Sequence, residues 1–228
     1  MKKLLKIIGV IVVIIFAFIA ISYLVLNQPL PKGESGPEAD AMAERMMEAL
    51  NYAAWQNTET VSWTFRDGHH YEWNKAEDVV TVQWGDHEVV LNTKTQTGIV
   101  INGQNYSFDQ VNELTQKAID FFNNDSFWLA APFKVFDQGT ERSIVELSDD
   151  QQGLMVNYTS GGSTPGDSYV WILDENDRPV AIKMWVQILP IGGLEFTWEN
   201  YKTLTSGAMI AQDHLGPGGF NVELTDIQ

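Results

Sequence analysis

Between Thr60 and Thr93 apolar and polar side chains alternate, and the alternation predicts a run of short strands. Val61, Trp63 and Phe65 alternate with Ser62, Thr64 and Arg66, and Asp67-Gly68 is a tight-turn dipeptide. His69–Trp73 is then the partner strand. Asn74-Lys75-Ala76-Glu77 turns the chain into Val79–Trp84, and Gly85-Asp86 turns it into Val89–Thr93. Such an antiparallel meander, with no helix between its strands, predicts a curved sheet or barrel. Ile99–Ile101 and Asn105–Phe108, joined by Asn102-Gly103, predict a short hairpin. Alternation resumes in Ser143–Leu147, Leu154–Tyr158, Tyr169–Leu173, Val180–Val186 and Leu194–Tyr201, and more weakly across Thr203–His214. The end, Gly216–Gln228, carries Pro217-Gly218-Gly219 and is expected as a flexible, exposed tail.

Two stretches change period from 2 to 3.6. Across Pro37–Ala54, residues Ala39, Met42, Ala43, Met46, Met47, Leu50 and Ala53 make one apolar stripe, with Pro37 in the first turn. Its Ala and Met composition fits either a helix packed on a sheet or an adaptable surface beside a hydrophobic ligand. Asp109–Asn124 is the second helix, with Asp109 as N-cap and Asn123-Asn124-Asp125 as its stop. Phe127–Phe136 is too apolar for a free loop, and Pro132 keeps it from being a central strand.

One stretch has no period. Ile7–Leu26 is twenty residues without a charge, flanked by Lys2, Lys3 and Lys6 on one side and by Pro29 and Pro31 on the other. A helix of that length spans roughly 30 Å, the thickness of a bilayer's hydrocarbon core. The lysines predict a cytoplasmic N-terminus. A cleaved signal peptide is the alternative, with Ala20-Ile21-Ser22 as its site, but the run is long for a signal core. The expected order is a cytoplasmic segment 1–6, a single-pass anchor 7–26 in the cytoplasmic (inner) membrane, a linker 27–36, one domain 37–215 facing the periplasm or the exterior, and the tail 216–228. The linker's Pro and Gly content predicts an irregular spacer.

Charge sharpens this. All 30 acidic residues follow Lys32, whereas four of the 14 basic ones lie at or before it, so the exported part carries −20. Such a surface excludes nucleic acid and disfavours direct adsorption to anionic headgroups. The chain has no cysteine, so it folds without disulfides.

Catalytic signatures are missing. The histidines are His69, His70, His87 and His214; the first two are adjacent on a strand and point to opposite faces, so they cannot share a metal. There is no HExxH, two-cysteine or G-x-S-x-G pattern, and Gly161-Gly162-Ser163-Thr164-Pro165-Gly166 lacks the Lys of a phosphate loop. No cofactor, metal or enzymatic activity is expected, the alternative being a hydrolase without a recognisable signature.

What remains is aromatic. Eight tryptophans and eleven phenylalanines exceed the needs of an ordinary core. Trp63, Phe65, Trp84, Phe196 and Trp198 on strands, Phe121 and Phe122 on the second helix, and Trp128 and Phe133 beyond it are the candidate ligand-binding residues. They would either shape an apolar cavity between a concave sheet and its helices or pack as plain core.

The phrases FWLAAPFKV, DSYVWILDENDRPVAIKMWV and NYKTLTSGAMIAQDH resemble the periplasmic lipoprotein-carrier superfamily, the LolA/LolB-like proteins. The similarity is greatest where Tyr169–Leu173 runs through an acidic turn into Arg178-Pro179 and the strand Val180–Trp185. It covers Glu38–His214. The resemblance implies an α+β fold, a strongly curved antiparallel half-barrel whose open side is closed by helices, with a concave cavity for acyl chains. It does not imply lipoprotein transport, because this chain adds a membrane segment that the soluble carriers lack. The expected partners are a hydrophobic small molecule, lipid or lipoprotein, the membrane through the N-terminal segment, and an envelope protein. The competing expectation is a non-catalytic interaction domain with a fully packed core.

Overall fold

The computed structural model describes residues 26–66, 68–101, 106–147, 151–160 and 165–228, together with 11, 14 and 23. The expected membrane anchor therefore lies, but for four residues, outside the described residues, as do the Asn102-Gly103 and Asp149-Asp150 turns. Among the described residues no helix is long and apolar enough to cross a membrane.

The period-2 stretch folds as read. Strands β1 (Thr60–Phe65), β2 (His69–Asn74), β3 (Val79–Trp84) and β4 (His87–Asn92) form an antiparallel meander, extended by β5 (Thr97–Val100). Gly85 takes the positive φ of 52° that the two-residue β3–β4 turn requires. Trp63 lies opposite Tyr71, which lies opposite Val82, so one face carries the apolar set of every strand. Phe108 opens the following helix, so the predicted strand ending there does not reach it.

In the second half β6 (Thr140–Glu146), β7 (Gln152–Tyr158), β8 (Ser168–Leu173), β9 (Pro179–Trp185) and β10 (Leu194–Thr197) pair consecutively. They are followed by β11 (Glu199–Thr203), β12 (Met209–Leu215) and β13 (Asn221–Thr225). The expected single curved sheet is two. Among the described residues one sheet runs β11-β12-β13-β1-β2-β3-β4-β5 and the other β10-β9-β8-β7-β6, every pairing being antiparallel. The expected strand Leu194–Tyr201 breaks at Trp198, and Asn200 takes φ 55° just beyond. The chain changes sheets there, at a corner of the kind that joins packed sheets. Trp198 fills that corner against Trp171 and Trp128, at 4.9 and 5.9 Å between ring centroids.

The C-terminal end is also corrected. Gly216–Gln228 is no tail: β13 sits between β12 and β1, and Val222, Leu224 and Ile227 are buried. The Pro-Gly-Gly segment is a short turn that feeds this strand.

The helices differ from expectation at their ends. The first splits into α1 (Pro37–Ala49) and α2 (Tyr52–Asn57), because Asn51 adopts the left-handed conformation and donates from Nδ2 to the Gly207 carbonyl at 3.1 Å. α1 lays Ala39, Ala43, Met46 and Met47 inward, and Arg142 holds Asp40 at 2.5 Å. Helix α3 spans Phe108–Ala130. Its N-cap is Ser107, not Asp109, in a reciprocal capping box with Gln110. It runs through the Asn-Asn-Asp stop because Asp125 is buried and bonded to β2, and because Trp128, Leu129 and Ala130 continue the buried face. Pro132 then falls in a 3-10 turn, Ala131–Phe133.

The linker is irregular, as its composition predicts, but it is not a free spacer. Gln28 accepts from Trp185 Nε1 at 2.8 Å and its N–H donates to the Gly192 carbonyl at 2.9 Å. Gly33 lies against Ser143 and Met155 so closely that a Cβ there would clash, and Glu34 bridges to Ile144. The segment is a strap across the outer face of the five-stranded sheet, where Val145, Met155 and Val170 form a small second core.

Candidate functional site

Alternation and helical spacing bring the nine candidate aromatics together, mainly as core. Trp63, Phe65, Trp84, Phe122, Trp128, Phe133, Phe196 and Trp198 are buried in one apolar cluster shared by both sheets and α3, and Phe121 packs against it half-buried. Trp63 stacks on Tyr71 at 4.5 Å, and Trp128 meets Phe196 edge-on at 5.0 Å. Phe121 stacks on His69 at 3.8 Å and meets Trp84 at 5.5 Å. Beside Phe122 and Ile119 lies a void of about 10 Å³, at the threshold for a single water.

Open space lies elsewhere. A cleft of about 360 Å³ is lined by Tyr52, Trp55, Gln56, Trp73, Lys75, Ala130, Phe133, Lys134 and Asp137. Of the nine candidates it contains Phe133 alone. The break at Asn51 creates it, because α2 restarts at a new angle and presents Tyr52 and Trp55, three apart on one face. Phe133 stacks between them, at 4.7 Å and 9° to Trp55 and at 6.2 Å and 20° to Tyr52. Trp73, at the end of β2, meets Trp55 at 6.2 Å and 62°. The floor is thus four aromatic rings with fixed mutual geometry.

Charge is placed at its rim. Lys75, in the β2–β3 turn, lies 3.7 Å over the Trp55 ring and donates from Nζ to the Trp55 carbonyl. Burial lowers its pKa to about 8, because the half-buried ammonium has lost part of its hydration. An ammonium has three donors, and what the Trp55 carbonyl and ring face do not occupy is open to an incoming oxygen. Lys134 faces it in an exposed pair with Asp137 at 2.5 Å. Tyr52, Trp55, Trp73 and Lys75 escape sequence reasoning, since Trp55 lies beyond the Ala/Met stripe and Lys75 reads as turn. The usable signal was the pair Tyr52 and Trp55 at i, i+3.

Two buried polar groups stand apart from the cleft. Asp125 is 1% exposed, and its carboxylate accepts from Tyr71 Oη at 2.5 Å and Asn124 Nδ2 at 2.8 Å, with His69 Nδ1 at 2.6 Å. Burial and the Asp125 carboxylate push the Tyr71 phenol far above its ordinary value, so it acts as a permanent donor. His70 meets Thr64 Oγ1 at 3.0 Å, so the adjacent histidines do serve opposite faces. His214 is fully buried, its ring 3.9 Å from that of Trp198, and burial pushes its pKa down to about 3. Both groups tie strands to α3 or close the corner between sheets. Among the described residues no group of three His, Cys, Asp or Glu could hold a metal ion.

No protein-family model matches the chain, and no curated protein does. Among solved structures the chain is similar to a LolA superfamily protein from Nitrosomonas europaea, at 12% identity and TM-score 0.38, over 83% of this chain and 92% of that one. It is also similar to a DUF1329 family protein from Desulfovibrio piger, at 10% identity and TM-score 0.38, over 86% and 93%. A third is a putative outer membrane lipoprotein-sorting protein domain from Vibrio parahaemolyticus, at 10% identity and TM-score 0.32, over 82% and 92%. Similarities of this size do not bear on activity.

Proposed function

We propose that the chain is a membrane-tethered, exported binding domain that captures an apolar chain with an anionic end in the cleft between α2, the β2–β3 turn and the 3-10 turn. The observation that carries this is the stack Tyr52–Phe133–Trp55 with Lys75 on its edge. The edges of the stacked rings line the cleft with apolar surface, and the Lys75 ammonium recognises a carboxylate or phosphate oxygen. A volume of about 360 Å³ is near the lower end of small-molecule pockets. It suits part of an acyl chain rather than a whole lipid. Six buried methylenes would contribute roughly 5 kcal/mol before ordering costs, which suits reversible capture.

The test is titration of the domain, residues 27–228, with a fluorescent fatty acid, including Trp55→Ala and Lys75→Met. Both variants weaken binding at least tenfold, while Trp84→Ala, which alters the core away from the cleft, leaves it within about twofold. Equal effects from all three would place the ligand elsewhere. The packed interior supports a second reading, an interaction domain with no small ligand, and absence of any uptake by folded protein selects it.

A further inference from the structure

The loop between β9 and β10 is apolar, uncharged and turned outward. Its sequence from 186 to 193 reads VQILPIGG. Ile188 is 73% exposed and Leu189 40%, Pro190 is exposed and Ile191 half-buried. Large aliphatics turned outward at consecutive positions form a contiguous apolar spot on the surface.

Its position says what it contacts. The strap binds this loop at the point where the chain leaves the apolar run. Gly192 donates its N–H to Asn27 Oδ1 at 2.8 Å, and its carbonyl accepts from Gln28 N–H at 2.9 Å. Lys183 Nζ reaches Gln28 Oε1 at 3.4 Å, and Gly193 packs on the Gln28 side chain. Asn27 N–H also donates to the Tyr23 carbonyl at 2.9 Å, the i to i−4 bond of a helix. Gln28 is two residues past Leu26, roughly 7 Å of chain at most. Ile188 is four residues from Gly192, a further ~14 Å at most.

We infer that the β9–β10 loop rests on the bilayer beside the point where the apolar segment emerges, with Ile188 and Leu189 inserted among the lipids. The inference rests on the reading of Ile7–Leu26 as an anchor. A bilayer is favoured over a protein partner because the fixed contacts at Asn27 and Gln28 leave no spacer between the loop and the lipid surface. Insertion of side chains, not headgroup electrostatics, must supply the contact, since the exported part carries −20 and the loop no charge. Interfacial apolar side chains reach roughly 5–10 Å into the headgroup and acyl boundary. The domain then has a fixed orientation, with the outer face of the five-stranded sheet held by the strap.

The chain lacks cysteine, so single labels are clean. The full chain is reconstituted in phosphatidylcholine vesicles with a nitroxide at Ile188→Cys, Leu189→Cys, Glu77→Cys or Phe108→Cys, the last two being exposed sites on other elements. Accessibility to oxygen is compared with that to a water-soluble nickel complex, and alkaline extraction is run in parallel. The expected result is an alkali-resistant chain with labels 188 and 189 at lipid depth and labels 77 and 108 in water. An alkali-resistant chain with 188 and 189 as aqueous as 77 overturns the loop inference and leaves the anchor intact. A chain stripped by alkali overturns the anchor reading and the inference with it.

Discussion

Asp125 offers the sharpest test of how this fold is held. The substitution Asp125→Ala removes a carboxylate that is 1% exposed and bonded to His69, Tyr71 and Asn124. Hydrogen bonds to a charged group contribute about 1.5–3 kcal/mol each, and an abandoned buried donor costs about 1–3 kcal/mol. Asn124 regains water, but the Tyr71 hydroxyl, on a residue with 0% exposure, cannot. Lost bonds and the stranded Tyr71 donor together give a net loss of about 3–5 kcal/mol. With a urea m-value of about 2 kcal/mol per M, the midpoint of residues 27–228, followed by tryptophan fluorescence, falls by roughly 2 M. Tyr71→Phe supplies the cross-check. If the two groups serve one another, the double variant is less destabilised than the sum of the singles by at least ~1 kcal/mol. A loss below about 1 kcal/mol, or strict additivity, refutes the claim that this carboxylate fastens α3 to β2.

Three further outcomes are expected. His214 is neutral in the fold with a pKa near 3 against 6.5 unfolded, so the unfolded chain binds the extra proton between those values. Stability present above pH 6.5 is lost as pH falls toward 3, by at most about 1.4 kcal/mol per unit, and His214→Phe flattens that limb of the acid denaturation curve. Capture of an anionic amphiphile weakens as pH rises through 8, where Lys75 loses its charge, while an alcohol of the same chain length binds with no such step in a displacement assay. Deleting residues 220–228 removes β13 from between β12 and β1, and circular dichroism melts of the truncated domain lose their cooperative transition.

The meander was legible because its signal is local. Trp63 and Val82 each stand in a period-2 run between turn residues, and their inward positions follow from alternation alone. The breaks were not legible, because their causes lie far along the chain. Helix α3 ignores Asn123-Asn124-Asp125 since Asp125 finds its partners 54 and 56 residues upstream. β13 is a five-residue strand that begins just after a Pro-Gly-Gly turn, and only its place between β1 and β12 makes it a strand. The split at Trp198 needs Trp171 and Trp128 to fill the corner. The aromatics named as candidate ligand-binding residues pack mainly as interior, and the open cleft grew from an irregularity, the left-handed Asn51, that reoriented Tyr52 and Trp55. Apolar periodicity reports what is buried and is silent on where burial stops.

The proposed function puts the ligand on the Tyr52–Phe133–Trp55 stack beside Lys75. Its most direct measurement is a crystal structure, or nuclear Overhauser contacts, of residues 27–228 with a saturating medium-chain fatty acid. The expected result is methylenes against the edges of the Trp55, Phe133 and Tyr52 rings and the carboxylate within hydrogen-bond distance of Lys75 Nζ. A fatty acid lodged between Trp63, Trp84 and Trp198 in an opened core, or no bound ligand beside the Trp55 ring at saturation, would contradict it.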